Sequence, residues 1–260
     1  MSYAEVNGLE LWYDELGSDS GVPLLLLHGG IGSSEMFSSL APELAASRRV
    51  ITVDFQGHGR TADIDRPLHP ALLADDIAAL ISELGLERAD VMGYSLGGEV
   101  ALRLAIQHPE RVGRLVLVSI AMRRDGWFPE VLATMDTMGP EAAEGMKQSP
   151  LYETYARVAP RPEDWAVLVG KTAELLQADF DWTAETGAVK APTMLVFADA
   201  DSITPAHVTE FYALFGGGLG DPGWDGSGRP TARLAVLPGM THYDLLSSPL
   251  LVPAVSAFLT

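Results

Sequence analysis

The segment of residues 88–107 constrains the fold most, because it contains the pentapeptide Gly93-Tyr94-Ser95-Leu96-Gly97. The residues before the serine suit a short buried strand. Those after it have apolar side chains at intervals of three and four, which predicts a helix with one buried face. Ser95 is therefore expected on a tight turn between strand and helix, where its backbone is strained and bulky neighbours are excluded; the flanking glycines meet that demand.

A serine on such a turn exposes its hydroxyl group beside the first backbone N–H of the helix, that of Leu96. An N–H in this position, together with the positive end of the helix dipole, can stabilise an oxyanion. The same pentapeptide also occurs in glycine-rich turns that have no catalytic role. Whether Ser95 is a nucleophile therefore depends on the rest of the chain.

Composition narrows the classes of partner. The 260 residues, 47% of them hydrophobic, are enough for one substantial core with an insertion. Acidic residues outnumber basic ones 35 to 17, and the net charge of −18 disfavours nucleic acid and anionic membrane surfaces as partners. Without cysteine, the chain has no disulfide, no thiolate nucleophile and no cysteine metal site.

The chain opens without a basic start and a long apolar run, and no apolar run approaches the roughly 20 residues of a membrane span. We therefore expect a cytoplasmic protein, monomeric or homodimeric, that does not bind membranes.

Strand-like and helix-like segments alternate along the chain. Residues 3–15 predict a hairpin that turns at Asn7-Gly8. Apolar runs predict further strands at 23–27, 49–54, 88–92, 113–118, 192–198 and 232–237. Helices are predicted at 33–46, 70–84, 96–107, 204–215 and 249–259, and residues 216–230 are expected to form an irregular surface loop. This order predicts an α/β fold: a mostly parallel, twisted sheet of about eight strands flanked by helices.

Residues 121–190 differ from the rest, because they are rich in methionine and aromatic residues and are interrupted by prolines. We expect several short helices that form a lid over a core made of residues 1–120 and 191–260. A substrate pocket beneath such a lid would be lined by soft apolar side chains. The candidates are Ile31, Tyr94, Met122, Trp127, Met135, Met138 and Trp165. The alternative is that these side chains only seal the segment to the core.

Polar residues that can activate a serine follow two later strands. A serine hydroxyl needs a base to take its proton, and a histidine does this best when a carboxylate fixes its tautomer. Asp199 and Asp201 follow one strand, and His242 follows the last. Parallel strands bring their carboxyl ends to one edge of the sheet. The order serine, aspartate, histidine is also the one that this type of turn predicts.

These residues give the chain a resemblance to the α/β-hydrolase family over essentially its whole length. The resemblance implies a nucleophile at Ser95, an acid at Asp201 within Ala198-Asp199-Ala200-Asp201, and a base at His242 within Gly239-Met240-Thr241-His242. Ala198 stands where the family usually has glycine, which leaves Asp199 as a rival acid. The family's oxyanion loop matches His28-Gly29-Gly30, and Asp54-Phe55-Gln56-Gly57-His58-Gly59 matches a further family loop. The implied oxyanion donors are the N–H groups of Gly30 and Leu96, with Ile31 as a substitute.

A serine nucleophile predicts acyl transfer to water, with a small to medium, uncharged or apolar ester, lactone or thioester as substrate. A carbon–carbon bond hydrolase or a cofactor-free perhydrolase would use the same residues. A receptor or signalling protein on a hydrolase scaffold is an alternative from another class. We expect no metal and no cofactor, since no histidine has metal-ligand spacing.

Overall fold

An eight-stranded sheet forms the centre of the protein in a computed structural model that describes residues 2–18 and 21–260. Its strands are β1 Ser2–Val6, β2 Leu9–Leu16, β3 Leu24–Leu27, β4 Val50–Val53, β5 Ala89–Tyr94, β6 Val112–Val118, β7 Thr193–Ala200 and β8 Arg233–Thr241. Their spatial order is β1-β2-β4-β3-β5-β6-β7-β8. The pairs β1–β2 and β2–β4 are antiparallel, and all other pairs are parallel. The predicted fold class is confirmed.

Ten α-helices accompany the sheet within the described residues. They are α1 Leu40–Ala45, α2 Pro70–Glu83, α3 Leu96–Gln107, α4 Pro129–Thr137, α5 Ala142–Met146, α6 Pro150–Val158, α7 Trp165–Gln177, α8 Thr183–Thr186, α9 Pro205–Leu214 and α10 Leu251–Leu259.

Both faces of the central part of the sheet are buried. Alternate residues of a strand point to opposite faces, and β3 follows this rule with four fully buried leucines: Leu25 and Leu27 pack in one cluster, Leu24 and Leu26 in the other. The first cluster joins the sheet to α2, α3, α9 and the helices of residues 121–190, and the second joins it to α1 and α10. The central strands are therefore apolar on both sides, as their sequences predict.

The hairpin is confirmed, with Asn7 and Gly8 both at positive φ between β1 and β2. Residues 216–230 contain no helix or strand, also as predicted.

Two predicted helices have different bounds. The segment 33–46 is divided into a 3-10 turn, Ser34–Phe37, and α1, while α10 begins at Leu251 rather than at residue 249. Pro42 and Pro253 are the third residues of their helices. Proline lacks an N–H and fits only in the first turn, so each helix has to begin just before its proline.

Helices α4–α8 lie between β6 and β7 in the chain, within the predicted segment 121–190. The ammonium group of Lys171, on α7, donates to Asp63 Oδ2 at 2.6 Å and to the carbonyl oxygens of Ile64 and Arg66, both at 2.8 Å. This insertion is thus held to the loop that precedes α2. Among the described residues, no helix is both long and apolar enough to cross a membrane.

Candidate active site

The turn between β5 and α3 holds Ser95 at φ 52° and ψ −125°, a conformation that is costly for a residue with a side chain. A Cβ atom on Gly93 would lie 2.1 Å from the carbonyl oxygen of Gly97, and one on Gly97 would lie 2.0 Å from that of Leu27. Only glycine fits at these two positions. Their lack of side chains allows α3 to begin directly against the ends of β5 and β3, with Ser95 at the junction.

The ring of His242 lies next to Ser95. Its Nε2 atom is 3.2 Å from Ser95 Oγ. The hydroxyl group of Tyr94 donates a 2.6 Å hydrogen bond to the backbone carbonyl of His242, and the ring of Trp127 meets the imidazole edge to face at a centroid distance of 5.3 Å. His242 is buried, and its neighbours restrict the ring to one position facing the serine.

On the other side of the ring, Nδ1 of His242 is 3.3 Å from Asp201 Oδ1 and 2.7 Å from the hydroxyl oxygen of Ser119. Ser119 Oγ is also 2.7 Å from both carboxylate oxygens of Asp201. If Nδ1 carries the proton, it can donate to Ser119, which can in turn donate to Asp201. The Nε2 lone pair then faces Ser95, which is the tautomer that a general base needs.

Ser119 is absent from the sequence-based set of site residues. It directly follows β6, just as Asp201 and His242 directly follow β7 and β8, and that position is the signal that could have identified it. Its φ of 55° is unusual for serine, and its side chain is fully buried.

The two candidate acids have different surroundings. Burial tends to raise the pKa of Asp201, but hydrogen bonds from His242, the Ala198 N–H and Ser119 outweigh it and lower that pKa below the ordinary value. Asp199 is exposed, and its pKa is lowered by backbone hydrogen bonds, chiefly that from Gly239 and then that from Met240. The carboxylate brought to His242 is that of Asp201.

The loop after β3 lies beside Ser95 and carries the candidate oxyanion donors. A Cβ atom on Gly30 would be 3.8 Å from Leu96 Cδ2. Within residues 2–18 and 21–260, neither the Gly30 N–H nor the Leu96 N–H has a hydrogen-bond acceptor. The N–H of Ile31, the substitute donor, is occupied, because it donates to His58 Nε2 at 3.1 Å. The N–H groups of Gly30 and Leu96 are thus unoccupied, whereas that of Ile31 is not.

His28 and His58 brace this loop. His28 Nε2 accepts from the Phe55 N–H at 3.1 Å, and its Nδ1 donates to the Gly29 carbonyl at 2.7 Å. His58 Nδ1 donates to the carbonyl of Gln56. Burial lowers the pKa of His28 to about 4 and that of His58 to about 3, so both rings are neutral at pH 7.

A cavity of about 230 Å³ lies between the insertion and helices α2 and α3. Two of the predicted pocket residues, Trp127 and Met135, line it. Its other lining residues are Pro67, Leu68, His69, Pro70, Glu99, Arg124, Glu174, Leu175, Leu176, Ala178, Asp179, Phe180 and Trp182.

The remaining predicted pocket residues lie outside this lining. Ile31 belongs to the loop braced by His58, and the hydroxyl group of Tyr94 donates a hydrogen bond to the backbone carbonyl of His242. Met122 is fully buried, and Met138 packs against the core. The indole N–H of Trp165 donates to the carbonyl of Ala143 inside the insertion. Among residues 2–18 and 21–260, no cluster of three or more His, Cys, Asp or Glu side chains could hold a metal ion.

Known proteins resemble this chain in sequence and in fold. The family model for the α/β hydrolase fold matches residues 22–219. The pimeloyl-[acyl-carrier protein] methyl ester esterase of Neisseria meningitidis is 32% identical over 74% of this chain and 80% of its own length. The crystal structure of the enol-lactonase from Burkholderia xenovorans superposes with a TM-score of 0.74 at 24% identity, over 99% of both chains.

Some curated relatives match with higher identity over a shorter stretch. The 2-hydroxymuconate semialdehyde hydrolase of a Pseudomonas species is 41% identical over 40% of this chain. This chain spans only 32 to 42% of the length of such relatives, which are 36 to 41% identical to it. The esterase and the family model, however, each match well over two thirds of the chain. The protein therefore belongs to the α/β hydrolase family.

Proposed function

We propose that this α/β hydrolase is a serine esterase, which cleaves small to medium, uncharged or apolar carboxylic esters through an acyl-enzyme on Ser95. The observation that carries the proposal is the position of the His242 ring. Its Nε2 lies 3.2 Å from Ser95 Oγ, while its Nδ1 faces Ser119 and Asp201. A histidine held between a serine and a carboxylate is the arrangement that activates a hydroxyl group for acyl transfer.

In the first half of the reaction, Ser95 Oγ attacks the ester carbonyl carbon and its proton passes to Nε2 of His242. The negative oxygen of the tetrahedral intermediate accepts hydrogen bonds from the N–H groups of Gly30 and Leu96. The imidazolium that forms is stabilised by the negative charge of Asp201. His242 then returns the proton to the leaving alkoxide, the carbon–oxygen bond breaks, and the acyl group remains on Ser95.

The second half repeats these steps with water. A water molecule attacks the acyl carbon with its oxygen and gives a proton to His242. The oxyanion of the resulting tetrahedral intermediate is bound by the same N–H groups. Return of the proton to Ser95 Oγ releases the carboxylic acid.

The substrate class is supported by the cavity and by charge. Most side chains that line the cavity are apolar, and a net charge of −18 disfavours anionic substrates. Trp127 lines the cavity and also contacts His242, so the cavity adjoins the proposed reaction centre. In this proposal the insertion acts as a lid that sets acyl specificity. The methyl ester esterase named among the relatives supports an ester substrate.

The test is turnover of p-nitrophenyl esters of rising chain length by wild type and by Ser95→Ala. We expect measurable hydrolysis by wild type and a loss of about 10⁴ to 10⁶ in kcat in the variant, with the fold retained by circular dichroism. A folded Ser95→Ala variant that keeps a tenth of the activity would contradict the nucleophile assignment. Hydrolysis of carbon–carbon bonds but not of esters would favour the C–C hydrolase alternative. Ligand binding without turnover would favour the receptor alternative.

A further inference from the structure

Glu99 is a buried acid to which the described part of the chain offers no partner. It lies one helical turn beyond Ser95 on α3, only 7% exposed, and no residue of 2–18 or 21–260 forms a hydrogen bond or an ion pair with its carboxyl group. Residues four apart on a helix lie on the same face, and the side chain leans towards the helix N-terminus. The carboxyl group is therefore on the serine's side of α3. Burial raises the pKa of Glu99 to about 8, so the group is mostly a neutral acid at pH 7.

Glu99 lines the cavity between the insertion and the core. The other ionisable groups of the cavity wall are His69 from the start of α2, Arg124 before α4, and Glu174 and Asp179 from α7 and the loop after it. The guanidinium group of Arg124 pairs with Asp136 through one terminal nitrogen at 2.5 Å, and its buried Nε has no hydrogen-bond partner among the described residues.

The rest of the cavity wall is apolar, with Leu68, Trp127, Met135, Leu175, Phe180 and Trp182 among its side chains. An unpaired polar group buried in such surroundings costs stability. A cost of this kind is tolerated where a ligand supplies the missing partner.

We propose that the cavity binds one arm of the ester substrate, an apolar chain bearing a neutral hydrogen-bond-accepting oxygen, to which Glu99 donates its proton. The proposal rests on the serine esterase function. A carboxylate on the arm would be repelled by Glu174 and Asp179. A cationic arm would require Glu99 to ionise in an apolar cavity one turn from the oxyanion of the intermediate, where a second negative charge opposes the reaction. A keto, amide or hydroxyl oxygen meets neither obstacle.

The experiment compares two p-nitrophenyl esters of equal length, the hexanoate and the 5-oxohexanoate, which differ by one carbonyl group. The readout is the kcat/KM value for the 5-oxohexanoate divided by that for the hexanoate. General effects on Ser95 and His242 cancel in this ratio. We expect the ratio to fall about tenfold in Glu99→Leu, which corresponds to about 1.4 kcal/mol. In Glu99→Gln, whose amide N–H still donates, it should fall less than about threefold. Glu83→Leu, which changes an exposed glutamate on α2, is the matched control and should leave the ratio unchanged.

The pH dependence supplies a second readout. The donating proton of Glu99 is lost as the pH rises through about 8. The wild-type ratio should therefore fall between about pH 7 and about pH 9, whereas that of Glu99→Gln should stay flat. A pH effect that arises from any other group would affect both proteins alike.

An unchanged ratio in Glu99→Leu would overturn the proposal. So would a preference for p-nitrophenyl 6-aminohexanoate that Glu99→Gln abolishes, since it would make the cavity a cation site. Failure of the esterase function itself would look different, because wild type would then hydrolyse neither ester in a Ser95-dependent manner.

Discussion

The carboxyl edge of the sheet and the insertion are built in different ways. At the edge, Ser95, Ser119 and Asp201 are fixed by backbone hydrogen bonds and tight glycine contacts, and nine of the 12 residues of α3 are buried. In the insertion, α7 has five buried residues of 13, but α4 has none. Half-exposed ion pairs such as Arg123–Glu210 and Arg157–Glu35 connect the insertion to the core. Pairs of this kind contribute roughly 0 to 1 kcal/mol each.

This difference suggests a division of roles. Groups that must hold reacting atoms to within a fraction of an ångström are placed on strand ends and on the start of a buried helix. Side chains that would select the substrate lie on helices whose packing tolerates change. Substitutions at the edge should therefore change kcat for every substrate, and substitutions in the insertion should change the ranking of substrates.

The largest expected effect within this comparison is at the acid. Asp201→Asn should lower kcat by about 10³ to 10⁴, because an amide cannot hold the required tautomer of His242 or stabilise its charged form. Asp199→Asn, two residues away and exposed, is the matched control and should cost less than about threefold. Both are measured on one p-nitrophenyl ester. Equal or reversed losses would move the acid to residue 199.

A smaller loss is expected at Ser119. Ser119→Gly removes the hydroxyl group and suits the positive φ, so the fold should be retained. Asp201 remains 3.3 Å from His242, and we expect kcat to fall about tenfold with little change in KM, since Ser119 acts only through the ring. Ser248→Gly, at another buried serine, is the control. A loss confined to KM would show that Ser119 does not position His242.

The insertion should determine how kcat/KM depends on the length of the acyl chain. Each methylene that is fully buried contributes about 0.8 kcal/mol, so kcat/KM should rise nearly fourfold per carbon until the cavity is full. Met135→Ala enlarges the cavity and should move the optimum to longer chains. Met138→Ala, a methionine outside the lining, should not. A flat profile from acetyl to octanoyl would refute a specificity role for the insertion.

A separate effect is expected on stability, at Glu99, where the two regions meet. An unfolded glutamate ionises near pKa 4.5 and folded Glu99 only near 8, so unfolding releases a proton between these values. Wild-type stability should therefore fall relative to Glu99→Gln as the pH rises from about 5 to about 8. Urea unfolding of both proteins at these two pH values measures the change. A constant difference would mean that Glu99 ionises normally when folded.

The sequence predicted the edge better than the insertion, for physical reasons. Ser95, Asp201 and His242 follow apolar strands that are recognisable as such, and parallel strands bring their ends together. Ser119 follows a strand in the same way, but a serine there carries no local pattern that separates it from any other. Its importance arises only from the approach of residues more than 80 positions away.

The predicted pocket residues illustrate the opposite case. Composition identified residues 121–190 as a group, yet it could not distinguish Met135, which lines the cavity, from Met138 and Trp165, which do not. Periodicity likewise placed Glu99 within a helix without revealing that none of the residues described in the structure pairs with it. Such outcomes depend on which helix packs against which, and short helices interrupted by proline leave that choice open.

The central claim, that the sheet edge performs acyl transfer through Ser95, is tested most directly by covalent labelling. The protein is treated with a fluorophosphonate, which traps an activated serine, and is then analysed by intact mass and peptide mapping. We expect one adduct, on Ser95, which is absent from Ser95→Ala and forms much more slowly in a His242→Ala variant. An adduct on another residue, or none on a folded protein that still hydrolyses esters, would contradict the claim.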